Sequence, residues 1–259
     1  MADILAALRV RASAAFHAAA SARPDFAARF DAGARGAAGP SGLATVSHFG
    51  EALIVPADPQ TLTHMLPDDA AGSLRSKRFV LQGDWSAAVS PVANDAVFQE
   101  MRDLVTLRER FAQGEAHAVL LERARRGERT LRNGTNLDDR EAIDRYMRHY
   151  LALVTRIESE GFQRHRRCGD EPGDMRPRLA TLRETDVCVA VGPTGDLLRF
   201  VGGRHRAAIA AHLRLCAIPV LVRGVHAKFL LAEAARRRAV PYHAFRAWLA
   251  QRSQKSRSA

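Results

Sequence analysis

The sequence predicts an α+β fold, and three observations carry that reading. Val187, Val189 and Val191 alternate as a strand does, Gly192-Pro193-Thr194-Gly195-Asp196 is turn chemistry, and Leu197 to Val201 form a second apolar run. Gly202-Gly203 then opens a small-residue helix from Arg204 to Leu215, followed by a third strand, Ile218 to Val222. Elsewhere the apolar content, 47% of the 259 residues, is alanine-rich with only 6% aromatics, which favours helices over an all-β architecture.

The remaining elements follow in chain order. Residues 3–34 read as an amphipathic helix interrupted at Pro24, with Asp25 starting a second segment, and Gly33 to Gly42 as a linker. Glu51 to Val55 reads as a short strand, and Asp58-Pro59 as an N-cap with proline in the first turn. Arg78 to Leu81 is β-like and ends at Gly83-Asp84-Trp85. Helices are expected over Asp95–Gln113, over Glu115–Arg126, and from a cap at Asn136 to Glu160, stopped by Gly161. Met101, Leu104, Leu107 and Phe111 make an apolar stripe that marks core. Val225–Arg238 and Tyr242–Arg252 read as helices split at Pro241, before a basic tail, Ser253 to Ala259. The turn-rich Asp170-Glu171-Pro172-Gly173-Asp174 reads as a mobile loop.

The double glycine is the chemically informative point. Glycines let a backbone approach a ligand closely, and a helix start offers N–H groups and a positive dipole end. Arg204, His205 and Arg206 stand in that first turn, where cations are unfavourable unless an anion joins them. The pattern predicts a phosphate site, with Arg206 as a bidentate fork.

Phe200 to Ala210, with Leu215 and Ile218-Pro219-Val220 downstream, resembles the signature of the ParB/sulfiredoxin-like superfamily. That superfamily is a small α+β nucleotide-binding fold. It includes CTP-binding ParB partition proteins, ATP-dependent sulfiredoxins and an ADP-dependent free-serine kinase. Their phosphate-gripping Gly-x-x-Arg or Gly-Cys-His-Arg turn maps onto Gly203, His205 and Arg206. A looser resemblance, to poorly characterised ParB-like proteins, adds Ile54 to Pro59, Gly83-Asp84-Trp85, Tyr150 to Phe162 and Arg223-x-x-His226. Many of those proteins carry Asp where this chain has Gly202.

The resemblance implies nucleotide binding through Gly202, Gly203, Arg204, His205 and Arg206, with Arg164 in the basic loop after Gly161 beside the ligand. It implies ATP, or another nucleoside triphosphate, with Mg²⁺, and a phosphotransferase or ATPase acting on a small hydroxyl-bearing substrate. Arg204 stands where sulfiredoxins carry their reactive cysteine, which disfavours sulfinic-acid reduction. Arg223 and His226 are the expected substrate-side residues, and Glu160 and Asp84 the expected catalytic carboxylates. The implied organisation is a helical extension and linker over 1–50, a strand-and-helix extension over 51–139, the nucleotide-binding domain over 140–226, and C-terminal helices over 227–259.

Charge supplies the competing reading. Residues 151–259 hold 20 Lys/Arg against 9 Asp/Glu, so the whole +11 excess lies there. A basic half suits a ParB-like DNA-binding or regulatory protein, or weak non-specific nucleic-acid binding. A helical scaffold without catalysis is the third reading. Cys168, Cys188 and Cys216 lack metal-site spacing, so no protein-held metal is expected. Few cysteines and an acid near the N-terminus predict a cytoplasmic protein without a secretory leader. Burial is expected to leave Cys188 and Cys216 inert. No stretch of ~18 apolar residues occurs, which predicts no membrane span.

Overall fold

The computed structural model describes residues 25–66, 78–85, 88–163, 187–200 and 202–255, without the side chains of Leu43 and Lys255. The expected helix over residues 3–24, the loop carrying Arg164 and Asp170–Asp174, and the end of the basic tail lie outside these residues. The architecture is α+β, a mixed seven-stranded sheet flanked by helices. No helix among the described residues is long and apolar enough to cross a membrane.

The sheet runs β1 (Ile54–Ala57), β9 (Ile218–His226), β7 (Val187–Val191), β8 (Leu197–Arg199), β2 (His64–Met65) and β4 (Ser90–Pro91), and β3 (Val80–Leu81) extends the β9 edge beyond β1. β9 is the axis: it pairs antiparallel with β1 and parallel with β7 and β3. Its residues are almost all buried, as its near-continuous apolar run from Ile218 to Val222 requires. The strand expected to end at Val222 runs on to His226, because Val225 and His226 pair with Val80 and Leu81.

Helices α1 (Phe26–Ala34), α2 (Gly42–Phe49), α7 (Ala227–Arg237) and α8 (Pro241–Lys255) share one apolar core with the sheet. Phe30 sits at its centre, within about 6 Å, ring to ring, of Phe49, Phe79, Tyr242 and Phe245. The stretch from Gly33 to Gly42 is packed rather than a linker: Gly33 and Gly39 approach so closely that a Cβ on Gly33 would lie 2.8 Å from the Gly39 Cα. Asp31 fastens α8 by accepting from the Tyr242 N–H at 2.7 Å.

A second core joins α3 (Ala96–Leu107), α4 (Glu115–Arg125) and α5 (Arg140–Glu160). Asp95 caps α3, accepting from the Val97 N–H, and Asp139 caps α5, accepting from the Ala142 N–H at 2.7 Å. The helix expected to reach Gln113 ends at Leu107, where Arg108 turns to φ 56°, and continues as a 3₁₀ segment. Asn136 does not cap α5; it belongs to a small hairpin, β5 (Leu131–Arg132) and β6 (Thr135–Asn136), that the sequence reading does not contain. Between the two cores lies α6 (Arg204–His212), burying Ala207 and Ala210 in the first and Ala208 and Ile209 in the second. Small side chains on both faces permit that close double packing.

Phe30→Ala should cost about 3–5 kcal/mol, the range for removing a buried phenylalanine. Urea denaturation should show a lower midpoint at an unchanged slope.

Candidate functional site

The Gly202–Arg206 turn is set by the end of β8. The Phe200 N–H bonds the Cys188 carbonyl at 2.9 Å, so the chain leaves the sheet beyond the Val187 end of β7. Gly202 and Gly203 then take φ of 102° and 63°, the second in the left-handed region, and α6 begins without a side-chain cap. The fully buried Arg199 donates to the Arg204 carbonyl at 3.3 Å, tying strand end to first helical turn.

His205 points inward rather than toward solvent. It stacks on Tyr150 of α5, centroids 4.0 Å apart and planes within 6°, and its Nε2 lies 2.9 Å from the Tyr146 hydroxyl. Tyr146 also lies 2.5 Å from Glu100 Oε2, to which it donates its one proton. His205 must therefore be the donor to Tyr146, which fixes the Nε2–H tautomer. Arg132 grips Glu100, with Nε 3.1 Å from both oxygens and Nη2 2.6 Å from Oε1. Asn133 completes the network by donating to the Tyr150 hydroxyl. Side chains from α3, the β5–β6 hairpin, α5 and α6 thus meet behind the glycine turn.

Electrostatics follow from burial. His205 is held down to about 3, by desolvation first and then by the Arg132 and Arg204 charges. Burial pushes the Tyr146 hydroxyl far up, and the Glu100 charge pushes the same way. For Arg132, burial works against the charge, but the Glu100 hydrogen bonds and charge outweigh it and raise the pKa.

In front of this network is an open cleft of about 320 Å³, lined by Asp95, Arg123, Arg132, Arg204 and the β2 and β4 ends. Arg204 pairs with Asp95 at 2.5 and 3.2 Å, and Asp95 is buried at its cap position. Arg123 is held on the outside by Glu128 at 3.0 Å. Among the described residues, no group of three His, Cys, Asp or Glu is arranged to hold a metal ion.

The expected site residues divide. Gly202, Gly203, Arg204 and His205 converge on the turn and the network behind it. Arg206 is turned to the far side, donating to the Gln163 carbonyl with its guanidinium 4.5 Å from the Phe162 ring, so it braces the end of α5. Glu160 is exposed at that end, ten residues or ~15 Å along the helix from Tyr150. Asp84 and His226 lie at the opposite end of the sheet: from Val220, level with Val187, to His226 is six residues, ~20 Å of strand. There His226 is buried against Trp85, donates from Nε2 to the Gly83 carbonyl at 2.9 Å, and accepts the Lys228 N–H on Nδ1, capping α7. Desolvation lowers its pKa. Asp84 is exposed beside it. Arg223 is half-buried within β9 and makes no ion pair among the described residues. Arg164 lies outside the described residues. Cys188 is buried as expected, whereas Cys216 is exposed, because it follows the end of α6 before β9 enters the sheet.

Glu100, Arg132, Tyr146 and Asp95 are site residues that the sequence motifs do not single out, and Tyr150 enters them only as the start of the Tyr150 to Phe162 segment, with no role attached. A usable signal is nevertheless present: Glu100 interrupts the apolar face formed by Val97, Met101 and Leu104, and Tyr146 and Tyr150 stand four apart on the buried face of α5.

Comparison with protein-family models, with curated proteins and with solved structures finds no match.

Because His205 is depressed in the folded chain, it binds its proton more readily when unfolded. Stability should therefore be full above ~6.5, the ordinary histidine value, and fall as pH drops toward about 3, by at most ~1.4 kcal/mol per pH unit. Urea denaturation across that window should give a shallower pH slope in His205→Gln than in the unaltered chain.

Proposed function

We propose that this chain binds a nucleoside triphosphate, ATP in preference to CTP, at the Gly202–Arg206 turn, and uses it in phosphoryl transfer or hydrolysis next to a small hydroxyl-bearing substrate. The observation that carries the reading is the start of α6: two glycines at positive φ open an uncapped helix beside an arginine-lined cleft. Positive-φ glycines leave room for phosphate oxygens at the backbone, and the helix dipole favours their charge. The cleft volume of about 320 Å³ is within the range of small-molecule sites, ~300–1,000 Å³.

The residues redistribute the expected roles. Of the turn's two arginines, Arg204 and not Arg206 lines the cleft, beside Arg123 and Arg132, and the neutral His205 supports the turn from behind. Asp95 and Glu100 are each engaged by an arginine, so the Mg²⁺ proposed with ATP would take its oxygens mainly from phosphate and water. Glu160 and Asp84 stand away from the cleft, so this reading rests on phosphate binding and not on either carboxylate as a base.

Gly203→Asn is the direct test, since Asn tolerates the left-handed region but places a side chain where phosphate would approach. Millimolar ATP with Mg²⁺ should raise the melting temperature of the unaltered chain more than CTP, GTP or ADP. The Gly203→Asn chain should unfold normally without nucleotide and lose at least ~10-fold in ATP affinity, about 1.4 kcal/mol. No stabilisation by any nucleotide would end the reading.

The basic C-terminal part favours the second reading, a DNA-binding or regulatory protein. Several of its arginines are already occupied: Arg236 and Arg237 pair with Glu233, and Arg246 and Arg252 lie over Tyr242 and Trp248. Duplex DNA should therefore bind weakly and be released by ~150 mM salt. Sequence-selective retention at that salt in a filter-binding assay would transfer the assignment to the regulatory class.

A further inference from the structure

The corner where α7 turns into α8 leaves an apolar groove beside the end of α1. Leu231, Ala234, Ala235 and Arg238 recur at helical spacing along one side of α7, and they line the groove together with Val240 and Pro241. Arg35, the residue that follows α1, lines it as well, and its volume is about 450 Å³. Among the described residues, Leu231 and Val240 are two of the four large apolar side chains left exposed, each at 42%. They belong to a second apolar face, since Ala227, Phe229 and Leu230 already bury the first face of α7 in the sheet core. The elements around the groove are held in place: Asp31 of α1 accepts the Tyr242 N–H at 2.7 Å, and Phe30 stacks on Phe245.

The rim of this groove is cationic. Arg35 and Arg238 are exposed, and neither makes a side-chain hydrogen bond or ion pair among the described residues. The acids nearest to them in sequence are engaged elsewhere, Asp31 by the Tyr242 N–H and Glu233 by Arg236 and Arg237. Each rim arginine stands at the C-terminal end of a helix, where the dipole favours a cation. That accounts for its position and leaves its five guanidinium donors unspent.

These observations select the occupant. A second copy of the chain, seated on the same face, would set arginine against arginine in a protein of net charge +11. Residues 1–24 hold three arginines and one acid, so they carry the wrong sign as well. A bilayer is met by a protruding apolar tip, whereas a groove receives the apolar face of a helix. Ala234, Ala235 and Ala239 have no side-chain atoms beyond Cβ, which lets a partner backbone come close.

We propose that the α7–α8 groove docks an amphipathic helical segment of a partner protein, its leucine-type side chains in the groove and its Asp or Glu side chains on Arg35 and Arg238. The groove shares no residue with the cleft beside the glycine turn, and the proposal is independent of the nucleotide reading.

The test is fluorescence polarisation of the full chain with a labelled peptide of ~16 residues, built from glutamate, alanine and leucine with the leucines on one helical face. One control scrambles the same composition, and the other carries lysine in place of every glutamate. At ~150 mM salt, which screens attraction to the net charge, the acidic amphipathic peptide should bind saturably and both controls at least ~10-fold more weakly. Ala235 is exposed on the groove, so Ala235→Trp fills it with an indole and leaves every charge in place. That variant should melt like the unaltered chain and lose at least ~10-fold in peptide affinity. Arg35→Glu combined with Arg238→Glu should reverse the preference, weakening the glutamate peptide and admitting the lysine one, a gain that mere structural damage does not produce. Equal binding of the scrambled peptide, or an intact response in Ala235→Trp, would overturn the groove as the site. An unreversed preference in the double variant would overturn the role given to the arginines. Without peptide binding, a dimer in sedimentation velocity that Ala235→Trp abolishes would replace the partner by a second copy, and retention on phosphatidylserine vesicles would replace it by a membrane surface.

Discussion

The buried carboxylate of Glu100 is the constraint around which the helical half of this protein is arranged. A charge taken out of water in this way is tolerated only when its oxygens are fully engaged. Arg132 and Tyr146 meet that requirement, and each brings a further element with it. Arg132 fixes the β5–β6 hairpin, Tyr146 fixes α5, and the hydroxyl of Tyr146, with its proton committed to Glu100, can only accept from His205 and so fixes α6. Loss of any one member would leave another buried and unsatisfied, a cost of ~1–3 kcal/mol for a neutral group and more for a charged one. The position of the glycine turn relative to the cleft is thus a consequence of one acid on α3.

This dependence explains which parts of the molecule are legible in the sequence. The segment from Val187 to Val222 reads closely, because strand alternation, turn glycines and a small-residue helix are local signals, and the local conformation there agrees with the global one. Capping tells the start of α5 only approximately: Asn136 looks like a cap, but Asp139 accepts the first-turn N–H and leaves Asn136 to the hairpin. The break at Arg108 is not readable, since nothing in Arg-Glu-Arg announces a left-handed residue.

The site divides along the same line. Gly202, Gly203, Arg204 and His205 are neighbours in sequence and so can be grouped from it, whereas Glu100, Arg132 and Tyr146 meet them only through tertiary packing. Asp84 and His226 group with the turn in sequence because motif order carries no information about which end of a strand faces a ligand. The register of β9 supplies that information, and it separates them by the length of the strand. Arg206 shows a finer limit: one residue along a helix from His205, it points elsewhere and braces Phe162 and Gln163.

The central place of β9 also bears on how the chain comes off the ribosome. Ala57 pairs with Ile218, from the far part of the chain, and Val80 and Leu81 wait almost as long for Val225 and His226. Until that late strand has been synthesised, β1 and β3 lack the neighbour they pair with, and the aromatic side chains of α1 and α2 lack the sheet that covers them. The helical unit of α3, α4 and α5, built from nearer neighbours, can condense earlier, since local contacts demand less loop closure. Nascent chains would therefore carry an open apolar face for most of translation, joined by a condensed helical body once α5 has been made, which makes the sheet half the natural client of a chaperone and the place where truncated products would aggregate.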